Sequence, residues 1–441
     1  MDEAGETPGT LPALGLVSLL AGAGSGLVTA LFRLALDRAD EFRDRLIARA
    51  HALPLVGFLL TVAAGAAAVA AAAWLVRRFS PDAAGSGIPH VEAALAGDLP
   101  PARPWLIPVK FLGGWLAIGA GLALGREGPS VQMGAVIANR IGKALGRSGP
   151  DCRVLLAAGA GAGLAVAFNA PIAGAVFVLE ELVRRFDTRI AITALGASAS
   201  AILMARLLLG NAPDFEVAIS AGASAATGPL PYAAAAVWPL YLALGGLAGL
   251  AAAAYCQAVL GAMALAARLG RWPVELPAGL IGAAVAILAW FTPELVGGGD
   301  AITQRLLSKG AGLVLIPFAF LLRFGLGALS YAARTPGGLF APMLVLGAQL
   351  GLFAGLVLRS ALPHLGIDPE AFAVVGMAAF FAGVVQAPVT GIVLVTEMTA
   401  AFTTLLPMLA ACFAAMLTAN LMRSAPIYDS LRQRLVKQVG S

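Results

Sequence analysis

Long uncharged stretches separated by short charged clusters dominate this chain. No charged residue occurs within residues 11–32, 154–179, 217–267, 371–396 or 398–422. A helix needs roughly 20 consecutive apolar residues to cross a bilayer, so the third of these stretches has room for two crossings. Other apolar stretches are shorter than one crossing. The pattern predicts an all-α protein with about ten membrane segments, several of which do not span the bilayer completely.

The composition supports the membrane assignment. Hydrophobic residues make up 59% and charged residues 12% of the 441 residues, and the mean hydropathy is +0.87. A soluble domain carries about 25% charged residues. Cys152, Cys256 and Cys412 lie too far apart for a ligand cluster, three cysteines cannot complete a disulfide framework, and no HExxH pattern occurs. We therefore expect an integral membrane protein that is not an enzyme, with no metal and no cofactor.

The net charge of +5 comes from clusters that report topology. Basic residues gather at residues 33–49, 77–78, 140–153, 184–189 and 423–437. The positive-inside rule assigns such clusters to the cytoplasmic side, so both termini are predicted to be cytoplasmic. The first cluster also contains acidic residues, which indicates an amphipathic helix partly at the interface. We interpret the clusters as topology signals and expect no nucleic-acid partner.

The chain repeats a Gly/Pro frame. Gly125-Arg-Glu-Gly-Pro129 aligns with Gly338-Leu-Phe-Ala-Pro342 at an offset of 213 residues. Residues 170–180 align with residues 387–397 at an offset of 217, and both blocks end in glutamate. Two ordered blocks at nearly equal offsets indicate an internal repeat.

The repeat divides a single membrane transport domain, residues 1–441, into two halves. The halves are predicted at residues 11–210 and 231–425, with residues 211–231 as the connection and short tails at both ends. Gly/Pro-interrupted apolar segments at matching positions of two halves are typical of a transporter's binding site. A parallel or an inverted repeat is possible, because hydropathy leaves the number of crossings per half open.

Glu127 is the unusual residue of the first frame. It lies between the uncharged stretches 111–125 and 128–139, and Phe340 takes its place in the second copy. An ionisable group inside an apolar membrane segment is costly, which predicts a functional site. The structural alternative is an ion pair with Arg126 or Lys110.

The chemistry of the two frames suits an anion. Glycine and proline at a helix start leave backbone N–H groups free at the positive end of the helix dipole. Two such starts could bind an anion without a full positive charge, which allows the anion to leave quickly. Ser86, in Gly85-Ser-Gly-Ile-Pro89, and Tyr428 could add hydroxyl donors. The alternative roles are a helix cap for Ser86 and an interfacial anchor for Tyr428.

Together these motifs resemble the CLC family of chloride channels and chloride/proton exchangers. Residues 85–89, 125–132 and 338–342 match the family's three anion-site motifs in order, and residues 168–174 match a further landmark. The similarity extends over nearly the whole chain.

The resemblance implies a CLC-type fold of two inverted-topology halves with broken and re-entrant helices. It also implies a homodimer with one pore per subunit and chloride and protons as substrates. The expected location is the bilayer of a bacterial inner membrane. The chain resembles the prokaryotic-type members of the family, so we expect no C-terminal regulatory domain.

The resemblance also assigns roles to residues of the anion site. The hydroxyls of Ser86 and Tyr428 and backbone amides near Leu339 and Phe340 would bind a central chloride. Backbone amides of residues 126–128, from Arg126 through Glu127 to Gly128, would line a more external site.

Two glutamates carry the proton in this interpretation. Glu127 would be the gate: its ionised carboxylate occupies the anion's place, and its protonated form swings out and carries a proton. Glu181 matches the proton-transfer glutamate of many exchangers, and a surface charge at a helix end is the alternative for this residue. Glu180 and Glu397 hold equivalent repeat positions, so we expect a shared structural role for them.

Three functions compete. Glu127 and Glu181 together favour a proton-coupled chloride antiporter. An uncoupled voltage- or pH-gated chloride channel of the same fold is the alternative. A membrane-embedded hydrolase with a Ser86–His90 dyad is a third, but the pair has no acidic orienter and no oxyanion motif.

Overall fold

The computed structural model describes residues 9–210, 215, 217, 232–268, 272–308 and 315–439, without the side chains of residues 232–236. Nearly all of the predicted connection, residues 211–231, lies outside the described residues, as do residues 1–8 and 440–441 of the predicted tails.

Throughout the described residues the regular structure is helical. The first half contains α1 (Leu11–Ala50), α2 (Pro54–Phe79), α3 (Ile88–Ala96), α4 (Leu106–Gly119), α5 (Glu127–Ala144), α6 (Gly149–Ala167), α7 (Pro171–Phe177) and α8 (Thr188–Leu209). The second half contains α9 (Tyr232–Arg268), α10 (Glu275–Phe291), α11 (Asp300–Leu307), α12 (Ile316–Ala332), α13 (Phe340–Ala361), α14 (Pro369–Val385), α15 (Pro388–Thr399) and α16 (Leu405–Leu421), and α17 (Ile427–Val439) follows.

Proline determines where many of these helices begin. The first turns of α3, α5, α7, α13 and α15 contain Pro89, Pro129, Pro171, Pro342 and Pro388. Proline lacks an N–H group, and a first-turn N–H has no partner within the helix in any case. These positions therefore start helices without loss of a hydrogen bond.

The helices fall into long and short classes, as the sequence predicts. Among the described residues, seven helices are long and apolar enough to cross a membrane. Five further apolar helices, namely α4, α10, α12, α14 and α15, have 10–17 residues. The protein is thus an integral membrane protein with several incomplete crossings.

The repeat is visible in how the helices pack. In the first half α1 and α8 run parallel, since a Cβ on Gly22 or Gly26 would lie 2.7 Å from the Cα of Ala197 or Ala201 respectively. Glycine at such positions allows two membrane helices to approach closely.

The second half repeats this contact between α9 and α16. A Cβ on Gly245 would lie 2.8 Å from the Cα of Ala411, and a Cβ on Gly249 would lie 3.0 Å from that of Ala415. In chain order α9 and α16 correspond to α1 and α8, so the packing follows the sequence repeat.

The second half is inverted relative to the first. A three-residue turn, residues 51–53, makes α1 and α2 antiparallel. Helix α2 is antiparallel to α10, because Gly65 packs against Ala286 while Ala70 packs against Gly279. Helix α10 is therefore parallel to α1. Helix α9, which a short link joins to α10, is antiparallel to α10 and hence to α1. Since α9 repeats α1, the halves have opposite orientations, as the family resemblance implies.

The most buried helices of the two halves are also repeat partners. All residues of α14 are buried, and most of α6 is buried as well. Helix α6 packs on α5 at Gly134 and Gly159, and α14 packs on α13 at Gly347 and Gly376. These two pairs form the centre of the molecule and hold the starts of α5 and α13 in place.

Candidate functional site

The starts of α5 and α13 meet through their backbones. The Gly125 N–H donates to the Gly338 carbonyl at 2.8 Å, and the Gly338 N–H donates to the Gly125 carbonyl at 2.7 Å. A Cβ on Gly338 would lie 2.9 Å from the nitrogen of Gly128. Glycine at these equivalent positions therefore lets the two helix starts face one point, as the repeated frame predicts.

Glu127 lies at this meeting point as the first residue of α5. It is 1% exposed, and the N–H groups of Glu127 itself and of Ala341 face its carboxylate. Its Oε2 atom has no hydrogen-bond partner in the described part of the chain. The carboxylate is thus buried against two helix starts, where backbone N–H groups favour an anion.

The cationic residues near Glu127 are engaged elsewhere. The Lys110 ammonium donates to the carbonyls of Ala83 at 3.1 Å and Gly85 at 2.8 Å. The Arg126 guanidinium pairs with Asp300 at 2.9 Å. An ion pair between Lys110 and Glu127, one of the structural alternatives, is therefore wrong.

A cavity of about 480 Å³ leads to Glu127 from the side on which α1 ends. Its wall includes Arg126, Asp300 and residues from the end of α1 such as His51. Arg126 also donates through Nε to the Ala167 carbonyl at 2.9 Å, so its side chain is fixed beside Glu127. The cavity gives small ions access to Glu127 from this side.

Ser86 lies on the other side of Glu127, on the loop before α3. Its N–H group donates to the Tyr331 hydroxyl at 3.3 Å. Its own hydroxyl is fully buried and has no partner among the described atoms. Gly128 packs directly against it, since a Cβ on Gly128 would lie 2.8 Å from the Ser86 Cα.

These contacts contradict two alternatives for Ser86. The N-cap residue of α3 is Gly87, with no side-chain cap, so the helix-cap role is wrong. The Ser86 hydroxyl makes no hydrogen bond to His90 within the described residues, so the dyad of the hydrolase hypothesis is not formed.

Tyr428, near the start of α17, is also fully buried. Its ring stacks on Phe340, with 5.9 Å between centroids and 24° between planes. Its hydroxyl, like that of Ser86, lacks a partner in the region that the structure describes. Complete burial excludes the interfacial-anchor role.

Phe340 and Leu339 form the apolar wall between these groups. Both side chains are fully buried, and Leu339 is the N-cap residue of α13. The Phe340 ring contacts Phe177 at 5.8 Å and Phe381 at 4.8 Å. The structure therefore brings all the predicted anion-site residues into one region around the starts of α5 and α13.

Glu181 lies apart from that region, in a π-helical turn, Val178–Leu182, that continues α7. Its side chain is 3% exposed and lies 3.4 Å from Arg184, which pairs with Asp429 at 2.8 Å. π-turns occur frequently at functional sites. Glu181 lines a cavity of about 570 Å³ on the side on which α1 begins. This burial contradicts the alternative role of Glu181 as a surface charge at a helix end.

Glu180 and Glu397 have the shared structural role that their repeat positions predict. Glu397 accepts the N–H groups of Ile172 at 3.1 Å and Ala173 at 2.7 Å, at the start of α7. Glu180 accepts the matching two N–H groups of α15 at 3.0 and 2.6 Å. Each half therefore supplies a carboxylate that caps a helix of the other, and the prediction is confirmed.

Two important residues lay outside the predicted site. Glu92, on α3, is buried beside the cavity of Glu181, and its carboxylate oxygens have no hydrogen-bond partner in the described chain. Lys110 fixes the backbone before Ser86 through the carbonyl contacts given above. Each is the one charged residue of its own apolar helix, which is the signal that could have identified it.

Known proteins resemble this chain in sequence over nearly its full length. Residues 68–420 match the model of the voltage gated chloride channel family. The H(+)/Cl(−) exchange transporter ClcA of Vibrio cholerae serotype O1 is 36% identical over 428 residues, which cover 96% of this chain and 89% of that protein. ClcA of Cronobacter sakazakii is 36% identical over 434 residues, 96% of this chain and 90% of its own.

Solved structures agree with the sequence matches. A slow cyanobacterial Cl⁻/H⁺ antiporter superposes with a TM-score of 0.90 at 29% identity, covering 99% of this chain and all of that one. A CLC-type fluoride/proton antiporter shares the fold with a TM-score of 0.77 at 24% identity, covering 95% of this chain and 97% of the other. With its family match, its full-length relatives and its two inverted halves, the chain belongs to the voltage gated chloride channel family, the CLC proteins.

Proposed function

We propose that this protein exchanges chloride for protons across a bacterial plasma membrane, as a single transport domain. The observation that carries the proposal is Glu127, a buried carboxylate at the meeting of two helix starts. One cavity reaches it, and a second cavity on the opposite side adjoins the neighbouring Ser86 loop. Relatives that cover nearly the whole chain are named as H⁺/Cl⁻ exchangers. Both lines support a carboxylate that alternates between anion mimic and proton carrier.

The anion path follows the groups with unpaired donors. Chloride would lie between the Ser86 and Tyr428 hydroxyls and the amides near Leu339 and Phe340, and a more external chloride would contact the amides of residues 126–128. Hydroxyls and amides are neutral donors, so chloride is held weakly enough to move on. The ionised carboxylate of Glu127 competes for the external position.

The proton path leaves from the same carboxylate. When Glu127 is protonated it no longer fills the anion position and moves toward the cavity on its own side, where the proton exchanges with water. On the other side Glu181 passes protons between its cavity and Glu127. Tyr428 interacts electrostatically with both glutamates and would lie between the two ends of this path.

Charge supports an orientation with the Glu181 cavity facing the cytoplasm. The side on which α1 begins carries the basic ends at residues 77–78, 147–153 and 184–189, together with Arg423. The basic cluster at residues 33–49 lies toward the other end of α1, so this orientation contradicts its predicted cytoplasmic location; four acidic residues offset its five arginines. Basic clusters of this kind face the cytoplasm. Both chain ends would lie on that side.

We infer that a second copy of the chain covers the face formed by α7 and α15. Ile172 and Val389 on that face are 54% and 51% exposed, and they flank the carboxylates of Glu397 and Glu180. A carboxylate exposed to lipid is expensive. An identical surface that covers this face would remove it from lipid and give a homodimer with one pore per subunit.

The exchange is tested by reversal potentials under crossed chloride and pH gradients in reconstituted vesicles. An exchanger gives a reversal potential that depends on both gradients, and a chloride gradient drives protons uphill. An uncoupled channel gives a potential that follows chloride alone and does not respond to the pH gradient. That second result, in vesicles with active protein, would refute the proposal.

A further inference from the structure

A second cavity on the side on which α1 begins adjoins the loop of Ser86. It has a volume of about 420 Å³, and Gly85, Gly87 and Tyr331 form the wall nearest to Ser86. It is separate from the cavity of Glu181, whose wall shares none of these residues. The inner side of the molecule therefore has one opening beside the anion-site hydroxyl and another beside the proton glutamate.

Arg334 lines the opening beside Ser86 in an unfavourable backbone conformation. Its φ is +57°, a left-handed value that favours glycine, and it follows the end of α12. Its N–H group donates to the Tyr331 carbonyl at 3.4 Å. Glycine is the usual residue at such a helix end, so this chain keeps a long cationic side chain where backbone geometry disfavours one.

The guanidinium of Arg334 is exposed and makes no hydrogen bond or ion pair with the described residues. The cavity's other arginine, Arg434, donates to the Leu260 carbonyl at 3.1 Å. Asp82, His90 and Tyr331 are the remaining titratable groups of the wall. Arg334 is thus the guanidinium of this cavity that is free to attract an anion.

The backbone links Arg334 to the Ser86 loop within a few residues. The next residue, Thr335, accepts the Gly85 N–H at 3.1 Å, and the Gly337 N–H donates to the Gly85 carbonyl at 3.1 Å. Tyr331, three residues before, accepts the Ser86 N–H. The turn that carries Arg334 is the turn that holds the anion-site loop, so its charge has a fixed position at the opening.

We propose that Arg334 concentrates chloride at this opening and sets the KM for chloride on this side of the membrane. The proposal rests on the proposed chloride transport and adds a residue that determines its affinity. A cation in a narrow cleft raises the local concentration of anions and their rate of association, and salt screens the effect. Because the guanidinium is exposed, it attracts chloride without trapping it.

Arg423 is a matched control for the rival explanation, in which Arg334 only caps a helix and marks the cytoplasmic side. It also follows a helix, α16, with φ +53°, and its N–H donates to the Asn420 carbonyl at 2.9 Å. It is exposed and lies on the same side of the membrane, but it does not line the cavity beside Ser86. If capping or topology were the function, substitutions at the two arginines would have the same effect.

The experiment compares Arg334→Gly, Arg334→Lys, Arg334→Glu and Arg423→Gly in reconstituted vesicles. Initial chloride flux is measured against chloride concentration at low ionic strength and again in an impermeant gluconate salt. Glycine relieves the strained φ, so the Arg334→Gly protein is expected to fold, which thermal unfolding checks. Protein molecules whose cavity beside Ser86 faces the added chloride contribute a separate component to the dependence of flux on chloride concentration.

We expect Arg334→Gly to raise the KM for chloride about three- to tenfold at low ionic strength, with unchanged kcat. Arg334→Glu should raise it further, and Arg334→Lys should stay near the wild-type value. The difference should vanish at high ionic strength, and Arg423→Gly should have no effect. An unchanged KM in Arg334→Gly, or an equal shift in Arg423→Gly, would overturn the proposal.

Proton movement recorded in the same vesicles separates this proposal from the exchange function. If wild-type protein moves chloride without protons, the exchange function fails and the effect of Arg334 on chloride flux is still measured. If coupling is present and the KM does not change, the role of Arg334 fails alone.

Discussion

Glu127 differs from Glu180 and Glu397 in the partners of its carboxylate oxygens. Glu180 and Glu397 each accept two backbone N–H groups at distances of 3.1 Å or less, so their charge is compensated in one fixed position. The Oε2 atom of Glu127 lacks such a partner among the described residues. A buried ionised carboxylate without full compensation is costly, which favours movement or protonation.

Substitution of Glu127 by glutamine should separate chloride transport from proton transport. The amide mimics the protonated carboxyl group but cannot release a proton, so we expect proton flux to fall about 100-fold while chloride still passes. Chloride and proton fluxes are measured together in vesicles. Glu294→Gln is the control, because Glu294 lines the same cavity but is exposed and pairs with Arg305. Persistent uphill proton transport in Glu127→Gln would contradict the gate assignment.

Lys110 yields a second prediction at this scale. Lys110→Met removes the donor for the Ala83 and Gly85 carbonyls, and buried acceptors without partners are expensive. We expect the free energy of unfolding to fall by about 1–3 kcal/mol, measured by thermal unfolding in detergent. Lys143→Met, at the exposed end of α5, should be nearly neutral. Equal stability of the two variants would show that the Lys110 contacts do not stabilise the loop.

The sequence reveals residues that a local frame defines and misses those supplied from a distance. Ser86 and Glu127 could be predicted because glycine and proline flank them at fixed spacing. Tyr331 could not, since the residue that it contacts, Ser86, lies 245 positions away. Nothing in the local pattern around a tyrosine indicates which distant loop it will hold.

At the level of helices, glycine rather than bulk apolar packing determines the geometry. Lipid is as apolar as leucine, so membrane helices gain by close backbone approach at small residues. Gly134 on α5 and Gly347 on α13, equivalent in the repeat, each contact a glycine of the next helix. The helices so fixed are the two whose starts form the anion site.

Alanine at either position should therefore loosen the site as well as the fold. A Cβ on Gly134 would lie 3.2 Å from the carbonyl carbon of Gly159, and one on Gly347 would lie 2.9 Å from that of Gly376. We expect Gly134→Ala and Gly347→Ala each to destabilise the protein by about 1–3 kcal/mol. Gly325→Ala, inside α12 with nothing within 4 Å of its Cβ position, should be neutral or slightly stabilising. Thermal unfolding measures the stability of each variant. Unchanged stability of both Gly134→Ala and Gly347→Ala would contradict the inference that close glycine packing determines the helix geometry.

Hydropathy predicted the helices but not the orientation of the repeat. Helices α3, α7 and α11 have 7–9 residues, too few to be counted as crossings, so the parity of each half stayed open. The antiparallel contact of α2 with α10 determines the orientation of the repeat, because it makes α9 antiparallel to α1. Such long-range packing between similar apolar helices leaves no periodic signal in the sequence.

For the molecule as a whole, the cavities explain why one carboxylate can couple two ions. One opening reaches Glu127 from the side of Arg126, and two openings lie on the other side, one beside the Ser86 loop and one beside Glu181. In the proposed exchange, chloride and protons would share the outer part of the path and separate on the inner side. A channel for chloride alone would have no need for the second inner opening with its buried carboxylates.

The proposed dimer gives the last prediction, because it rests on one exposed face. Val389→Trp on α15 adds a large side chain beside the carboxylate of Glu180, where a second copy would have to fit closely. We expect this variant to be monomeric, whereas Leu280→Trp, on α10 and 63% exposed, stays dimeric because it adds apolar surface toward lipid. Light scattering with size-exclusion chromatography in detergent gives the mass of each. If the Val389→Trp variant forms a dimer as stable as that of the wild type, the interface lies on another face. A monomeric wild type would leave the carboxylates of Glu180 and Glu397 to be covered by lipid headgroups or another protein.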